Sequence, residues 1–170
     1  MGEDSETVGA TGAEAAGDGT AGAERATGGC LCGAVRYEAH GPPLATLYCH
    51  CTSCRKHTGA AAVALVGYRR DRVRYTKGAP AVYASSPGVG RAFCADCGTP
   101  LTWEGDGEDE GPLIEFLVGT MDAPERFAPA RHIHYGERLA WFDTTDRLPR
   151  HAVWEDEPPV AHAPAARPED

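Results

Sequence analysis

Lysine is nearly absent from this chain: two residues stand against fourteen arginines in a length of 170. Any apolar run approaching the roughly 20 residues of a membrane-spanning helix is also missing. The best stretch, Ala60 to Val66, reads instead as a buried strand. No apolar signal-peptide core follows Met1 to Ser5, and Glu6 stands where a myristoylation motif wants serine or threonine. An excess of positive charge is lacking too. The formal net charge is −9, with six acids against Arg25 in residues 1–28 and five against Arg167 in residues 155–170. The segment 29–154 is therefore neutral, and all of the acidity belongs to the ends. That balance argues against nonspecific nucleic-acid binding, which needs a strong positive field. The expected partners include neither nucleic acid nor membrane.

What the chain does have is seven cysteines in three tight groups, with none elsewhere. Cys30 and Cys32 form a CxC pair; Cys49, Cys51 and Cys54 form a CHCTSC triplet; Cys94 and Cys97 form a CADC pair followed by Gly98. The odd count and the absent signal sequence argue against a disulfide framework, and free thiolates fit a reducing, cytoplasmic compartment. A lone CxxC would suit a thioredoxin-like redox site, but Cys94 and Cys97 lack the βαβ context of one. Gaps of one or two residues let neighbouring sulfurs converge on one soft, tetrahedral ion, and zinc is the expected one. Four sulfurs would close one zinc site, and the remaining three of the seven would leave a second zinc with a vacant position.

Both ends read as disordered tails, residues 1–27 and 155–170, around one domain at 28–154. Val8 is the single aliphatic side chain larger than alanine before the first cysteine, too little to bury a core. The domain reads as all-β. Expected strands cover Val35–Tyr37, Leu44–Tyr48, Ala60–Val66, Val73–Thr76, Ala81–Ala84, Arg91–Phe93, Leu101–Trp103, Leu113–Val118 and Arg131–Tyr135. Cys51 to His57 suits one or two helical turns stopped by Gly59. The acidic stretch Glu104–Glu110 reads as a solvated hairpin loop. Arg69, Arg70, Arg72 and Arg74 surround a turn, and an exposed strand edge guarded by charge is favoured there over a phosphate site. His132 and His134 fall on one face of an expected strand, where core packing or surface placement is favoured over metal binding. Trp103, Trp141 and Trp154 are expected in the core or a pocket wall.

Three blocks of this chain resemble those of the glutathione-dependent formaldehyde-activating enzyme (GFA, or CENP-V domain) family. They are Gly28-Gly29-Cys30-Leu31-Cys32-Gly33-Ala34-Val35, Cys49-His50-Cys51-Thr52-Ser53-Cys54-Arg55-Lys56, and Phe93-Cys94-Ala95-Asp96-Cys97-Gly98-Thr99-Pro100-Leu101. Weaker echoes are Gly119-Thr120-Met121-Asp122 and His132-Ile133 with Trp141 downstream, so the likeness covers residues 28–150. The resemblance implies an all-β, Mss4-like fold, also described as a β-tent. It further implies two zinc ions per chain: a structural one on Cys30, Cys32, Cys94 and Cys97, and a catalytic-type one on Cys49, Cys51 and Cys54. The local triplet can wrap one ion from a single segment, whereas each pair needs a distant partner, which agrees with that division.

The activity implied is that of a carbon–sulfur lyase handling a thiol–aldehyde adduct such as S-hydroxymethylglutathione. Three thiolates make zinc a weak Lewis acid but a good host for a fourth sulfur, held as thiolate. A small-molecule thiol, glutathione or an equivalent, is the expected partner. His50 is a candidate proton donor by position, weighed against a supporting or surface role. Arg55 and Lys56 follow the last ligand and are candidates for a substrate carboxylate, weighed against solvated charges on a helical turn. The alternative is a non-catalytic, zinc-stapled binding module. The intact triplet favours the enzyme, because a purely structural protein has no use for a vacant metal position.

Overall fold

A computed structural model describes residues 25–107, 110–154 and 158–161. The expected tails at 1–24 and 162–170 lie outside the described residues, as do 108–109 and 155–157. Ten strands and one α-helix are present among the described residues: β1 (Arg25–Gly29), β2 (Arg36–His40), β3 (Ala45–Cys49), α1 (Thr52–Thr58), β4 (Val63–Arg69), β5 (Val73–Lys77), β6 (Ala81–Ser86), β7 (Val89–Phe93), β8 (Pro100–Gly107), β9 (Gly111–Leu117) and β10 (His132–Ile133). They form a three-stranded sheet, β1-β2-β5, and a seven-stranded sheet, β10-β3-β4-β9-β8-β7-β6. This is the all-β class expected from sequence.

The sheets pack face to face because each presents apolar alternate residues to the other. Tyr37 of β2 stacks on Phe116 of β9 with ring centroids 3.9 Å apart. Ala26, Ala39, Val73, Val66, Tyr68, Leu101 and Ile114 complete the layer between them. Strand β4 is buried on both faces. Its Val66 and Tyr68 join that main core, while Val63 and Leu65 join a second cluster with Leu47, Cys49, Cys54 and Ile133. A strand covered on both sides reads as continuous apolar sequence rather than alternation, which is why Ala60–Val66 stands out. The strand itself starts three residues later, at Val63, after a bend.

Four sequence expectations change. Arg25, Ala26 and Thr27, placed in the tail, open β1, which pairs antiparallel with β2 from Arg25↔His40 to Gly29↔Arg36. Only small residues fit there: a Cβ on Gly28 would lie 2.3 Å from Tyr37 Oη and 2.5 Å from the Thr120 carbonyl oxygen. The acidic stretch is mostly strand, since β8 runs to Gly107 and pairs with β9 as far as Gly107↔Gly111. The expected strand at Arg131–Tyr135 shrinks to two residues, β10, which lies parallel to β3. His134 ends it by turning into the left-handed region at φ 52°, so His132 and His134 do not share a strand face. Trp141 and Trp154 are exposed, at 74% and 53%, rather than core.

A buried acid sits in the smaller sheet. Glu38 of β2 keeps 3% of its side chain exposed and pairs with Arg25 at 2.6 Å, Arg74 at 2.6 Å and His40 at 2.9 Å. The hydrogen bond with His40, then those from Arg25 and Arg74, outweigh burial and hold its carboxyl down at about 2. Arg74, one of the four turn arginines, is thus tied to the sheet.

Candidate metal centres

The first sulfur cluster is built from two similar turns. Cys30 and Cys32 occupy the β1–β2 connection, Cys94 and Cys97 the β7–β8 connection. In each, the first cysteine's carbonyl accepts from a following glycine: Gly33 N–H to Cys30 O at 3.0 Å, Gly98 N–H to Cys94 O at 2.9 Å. Both glycines are left-handed, at φ 72° and 75°, where an L side chain would be strained. Val35 N–H donates to Cys30 Sγ at 3.2 Å. Thr99 Oγ1 lies 3.1 Å from Cys97 Sγ, and this contact with the Thr99 backbone lowers the Cys97 thiol to about 6. The four ligand sulfurs lie within 4.8 Å of one another. The Cys30–Cys32 and Cys32–Cys94 sulfur separations are 3.6 and 3.8 Å. A tetrahedron with metal–sulfur bonds of about 2.3 Å has edges of about 3.8 Å, so the donor set fits a four-coordinate soft metal. One hairpin comes from each sheet, so an ion here pins the two sheets together.

The second cluster is local. Cys49 ends β3, Cys51 caps α1, and Cys54 lies in its first turn, with the three sulfurs within 4.8 Å of one another. Cys51 Sγ accepts from Cys54 N–H at 3.3 Å, the bond that a serine or aspartate makes at an N-cap. Gly59, left-handed at φ 71°, closes the helix by donating to Arg55 O, as expected. Contacts with the Cys49 and Cys54 thiols hold Cys51 as the thiolate, near 2, and in turn raise Cys49. A cluster that already shares its negative charge is prepared to release its remaining protons to a cation.

Three residues unforeseen from sequence, Arg91, Glu137 and Asp146, help secure this site. Arg91 of β7, 6% exposed, donates Nη1 to Cys54 Sγ at 3.5 Å and Nε to Ser85 Oγ at 3.2 Å. Its charge stands beside the thiolates and offsets them. Glu137 Oε2 accepts from Thr52 N–H at 2.9 Å and Thr52 Oγ1 at 3.0 Å, capping α1 from 85 residues away. Beneath the loop runs a buried chain: His50 Nε2 to His132 Nδ1 at 2.8 Å, then His132 Nε2 to Asp146 at 3.2 Å. Tyr135 packs edge-on against both imidazoles. Burial opposes ionisation of Asp146, but the Leu148 N–H, Thr144 and His132 hold it down at about 2.

The remaining expected residues take definite places. His50 is 1% exposed, and burial, then His132 and nearby arginines, push it down to about 4, so its ring is neutral near pH 7. Arg55 donates Nε to His50 O at 3.0 Å, and Nη2 to Thr52 Oγ1 and Glu137 O, each at 3.2 Å. Lys56 is exposed, and two positions along a helix from Cys54 put it on the opposite side of α1. All seven predicted sulfurs are brought together as two groups.

Fold and site together define a small all-β domain stapled by a four-cysteine cluster and carrying a separate three-cysteine cluster. The chain belongs to the glutathione-dependent formaldehyde-activating enzyme (GFA) family, whose sequence model matches residues 25–137. The solved structure of a Rhodobacter sphaeroides protein is similar, with 23% identity, 62% of this chain and 98% of that chain covered, and a TM-score of 0.47. No curated protein matches the chain. Among the described residues no helix is long and apolar enough to cross a membrane.

Proposed function

We propose that the protein is a zinc-dependent carbon–sulfur lyase-type enzyme that handles a thiol–aldehyde adduct such as S-hydroxymethylglutathione. In this reading Cys30, Cys32, Cys94 and Cys97 hold a structural zinc, and Cys49, Cys51 and Cys54 hold a second, catalytic-type zinc. The observation that carries it is the second cluster: three converging sulfurs, none shared with the closed four-sulfur group. When bound there, zinc supplies a position at which a fourth sulfur is stabilised as thiolate. In the lyase direction the adduct's carbon–sulfur bond breaks, its electron pair stays on sulfur, and the hydroxyl proton leaves as the aldehyde carbonyl forms.

The chain's own residues prepare the place. Arg91 offsets charge on the thiolates from a buried position. Glu137 and Arg55 fix the loop between Cys49 and Cys54. A buried neutral ring bonded to His132 suits His50 to support of the Cys49–Cys51 loop, beside the proton-donor role its position suggests. Arg55 commits Nε and Nη2 to that loop, and Nη1 is the donor with which it would meet a substrate carboxylate, as Lys56 would from the exposed side of α1.

Zinc stoichiometry of freshly purified protein, with and without added thiol, tests the reading. Two zincs per chain, one labile and perturbed by thiol, together with accelerated exchange of labelled formaldehyde into the adduct, are the expected result. A single tight zinc indifferent to thiol would overturn it and leave a zinc-stapled binding module.

A further inference from the structure

An open cleft of about 510 Å³ is lined by His57, Val82, Tyr83, Phe93, Gly98 and Pro100, four of which lie within three positions of a cluster cysteine in sequence. Small-molecule sites commonly span about 300–1,000 Å³, so a modest organic group fits. The cleft adjoins the three-sulfur site in two ways. His57 follows Cys54 by three positions on α1, which places the two on one helix face with Cβ atoms about 5–6 Å apart. Tyr83 stands opposite Arg91 in the β6–β7 register, and Arg91 reaches from there to Cys54 Sγ. A group attached to a sulfur at the triplet can therefore extend along His57 and Arg91 toward the cleft.

The lining is chemically one-sided. None of its six residues carries a fixed charge. Burial and the Arg91 charge both lower the pKa of His57, which favours its neutral ring. Val82 and Tyr83 offer uncovered apolar surface, at 57% and 64% exposure. The nearby cations are otherwise engaged: Arg91 on Cys54 and Ser85, Arg55 on the loop carbonyls, and Lys56 on the far side of α1. Glutathione would bring carboxylates and an ammonium to a wall whose six residues carry no fixed charge of their own.

We infer that this cleft receives the organic group of the thiol held at Cys49, Cys51 and Cys54, and that it selects an uncharged apolar group, aromatic or branched, over a charged tripeptide. The inference rests on the open-site reading above, keeps its thiol–aldehyde chemistry, and replaces glutathione as the carrier thiol with a less polar one. Seating such a group covers apolar surface on both partners, whereas seating a carboxylate strips water from a charge without replacing it.

Calorimetric titration of the zinc-loaded protein with 2-mercaptoethanol, benzyl mercaptan and glutathione tests this. Benzyl mercaptan is expected to bind at least about tenfold more tightly than either other thiol. Tyr83→Ala, at an exposed strand position, is expected to lower benzyl mercaptan affinity toward that of 2-mercaptoethanol and so remove most of that preference. In wild type, thiol-free benzyl alcohol is expected to shift the Tyr83 ring resonances in NMR spectra. Binding of 2-mercaptoethanol with no preference for benzyl mercaptan, or a preference for glutathione, would overturn this inference alone. Failure of all three thiols to bind would overturn the open-site reading, and this inference with it.

Discussion

The two sulfur clusters solve opposite problems. In the first, cysteines 62 residues apart meet because two hairpins from different sheets bend toward each other through left-handed glycines. Its surroundings are backbone N–H groups and one threonine hydroxyl, and Cys32 is exposed. In the second, the cysteines are neighbours in sequence, and what comes from far away is support: Arg91, Glu137, His132 and Asp146. One cluster joins distant chain and needs little else. The other is joined already and receives a tailored environment, which is what the proposed open site would require.

That contrast is broken or sharpened first by its cysteines. Cys97→Ser is expected to unfold the domain at room temperature, because a structural zinc contributes about 10–16 kcal/mol, as much as a whole domain's net stability. Cys54→Ser is expected to keep the circular dichroism spectrum and lose one metal of two. Equal unfolding of both variants would abolish the division into a staple and a working site. Next in size, Arg91→Met should weaken the second metal by about 10–100-fold and leave the first unchanged, as read by competition with a coloured chelator.

Glu137→Ala removes the distant cap of α1 and is expected to cost about 1 kcal/mol, a drop of about 2–4 °C in Tm for a chain this size. A larger loss, with release of the first metal, would mean that the two sites are not independent. A last prediction, confined to acid pH, concerns the hairpin under the first cluster. Glu38 is held at about 2 against an ordinary 4.5, so its contribution is complete above pH 4.5 and is lost as pH falls toward 2. Glu38→Gln should therefore flatten the acid limb of a stability–pH curve relative to wild type. Protonation of the cysteines is common to both proteins and drops out of the difference.

Much of the architecture is written locally. The cysteine gaps, Gly33, Gly59 and Gly98 encode turns and caps within a few residues, so both clusters and α1 can be read directly. The strands from β2 to β9 announce themselves by apolar patterning. What escapes has long reach. Arg91 touches Cys54 from 37 positions on, His132 meets His50 from 82 and Glu137 meets Thr52 from 85, and no local pattern carries those distances. Strand β1 escapes because its residues, Arg-Ala-Thr-Gly-Gly, lack strand propensity and are chosen for close approach to Tyr37. The last strand is overcounted because nothing in Arg131–Tyr135 forecasts the left-handed turn at His134.

Strand β4 separates the main core from the apolar bed of the triplet, with Val63 and Leu65 on one side and Val66 and Tyr68 on the other. In a saturation mutagenesis experiment the exposed edge strand β6 should accept almost any residue at Val82 and Tyr83 without loss of the folded protein. Along β4, Val63, Leu65, Val66 and Tyr68 should instead be intolerant, so that both faces of the strand resist change. A lesion there is read twice, once as a weakened fold and once as a displaced metal site, so this short stretch is where heritable variation has the least room to move.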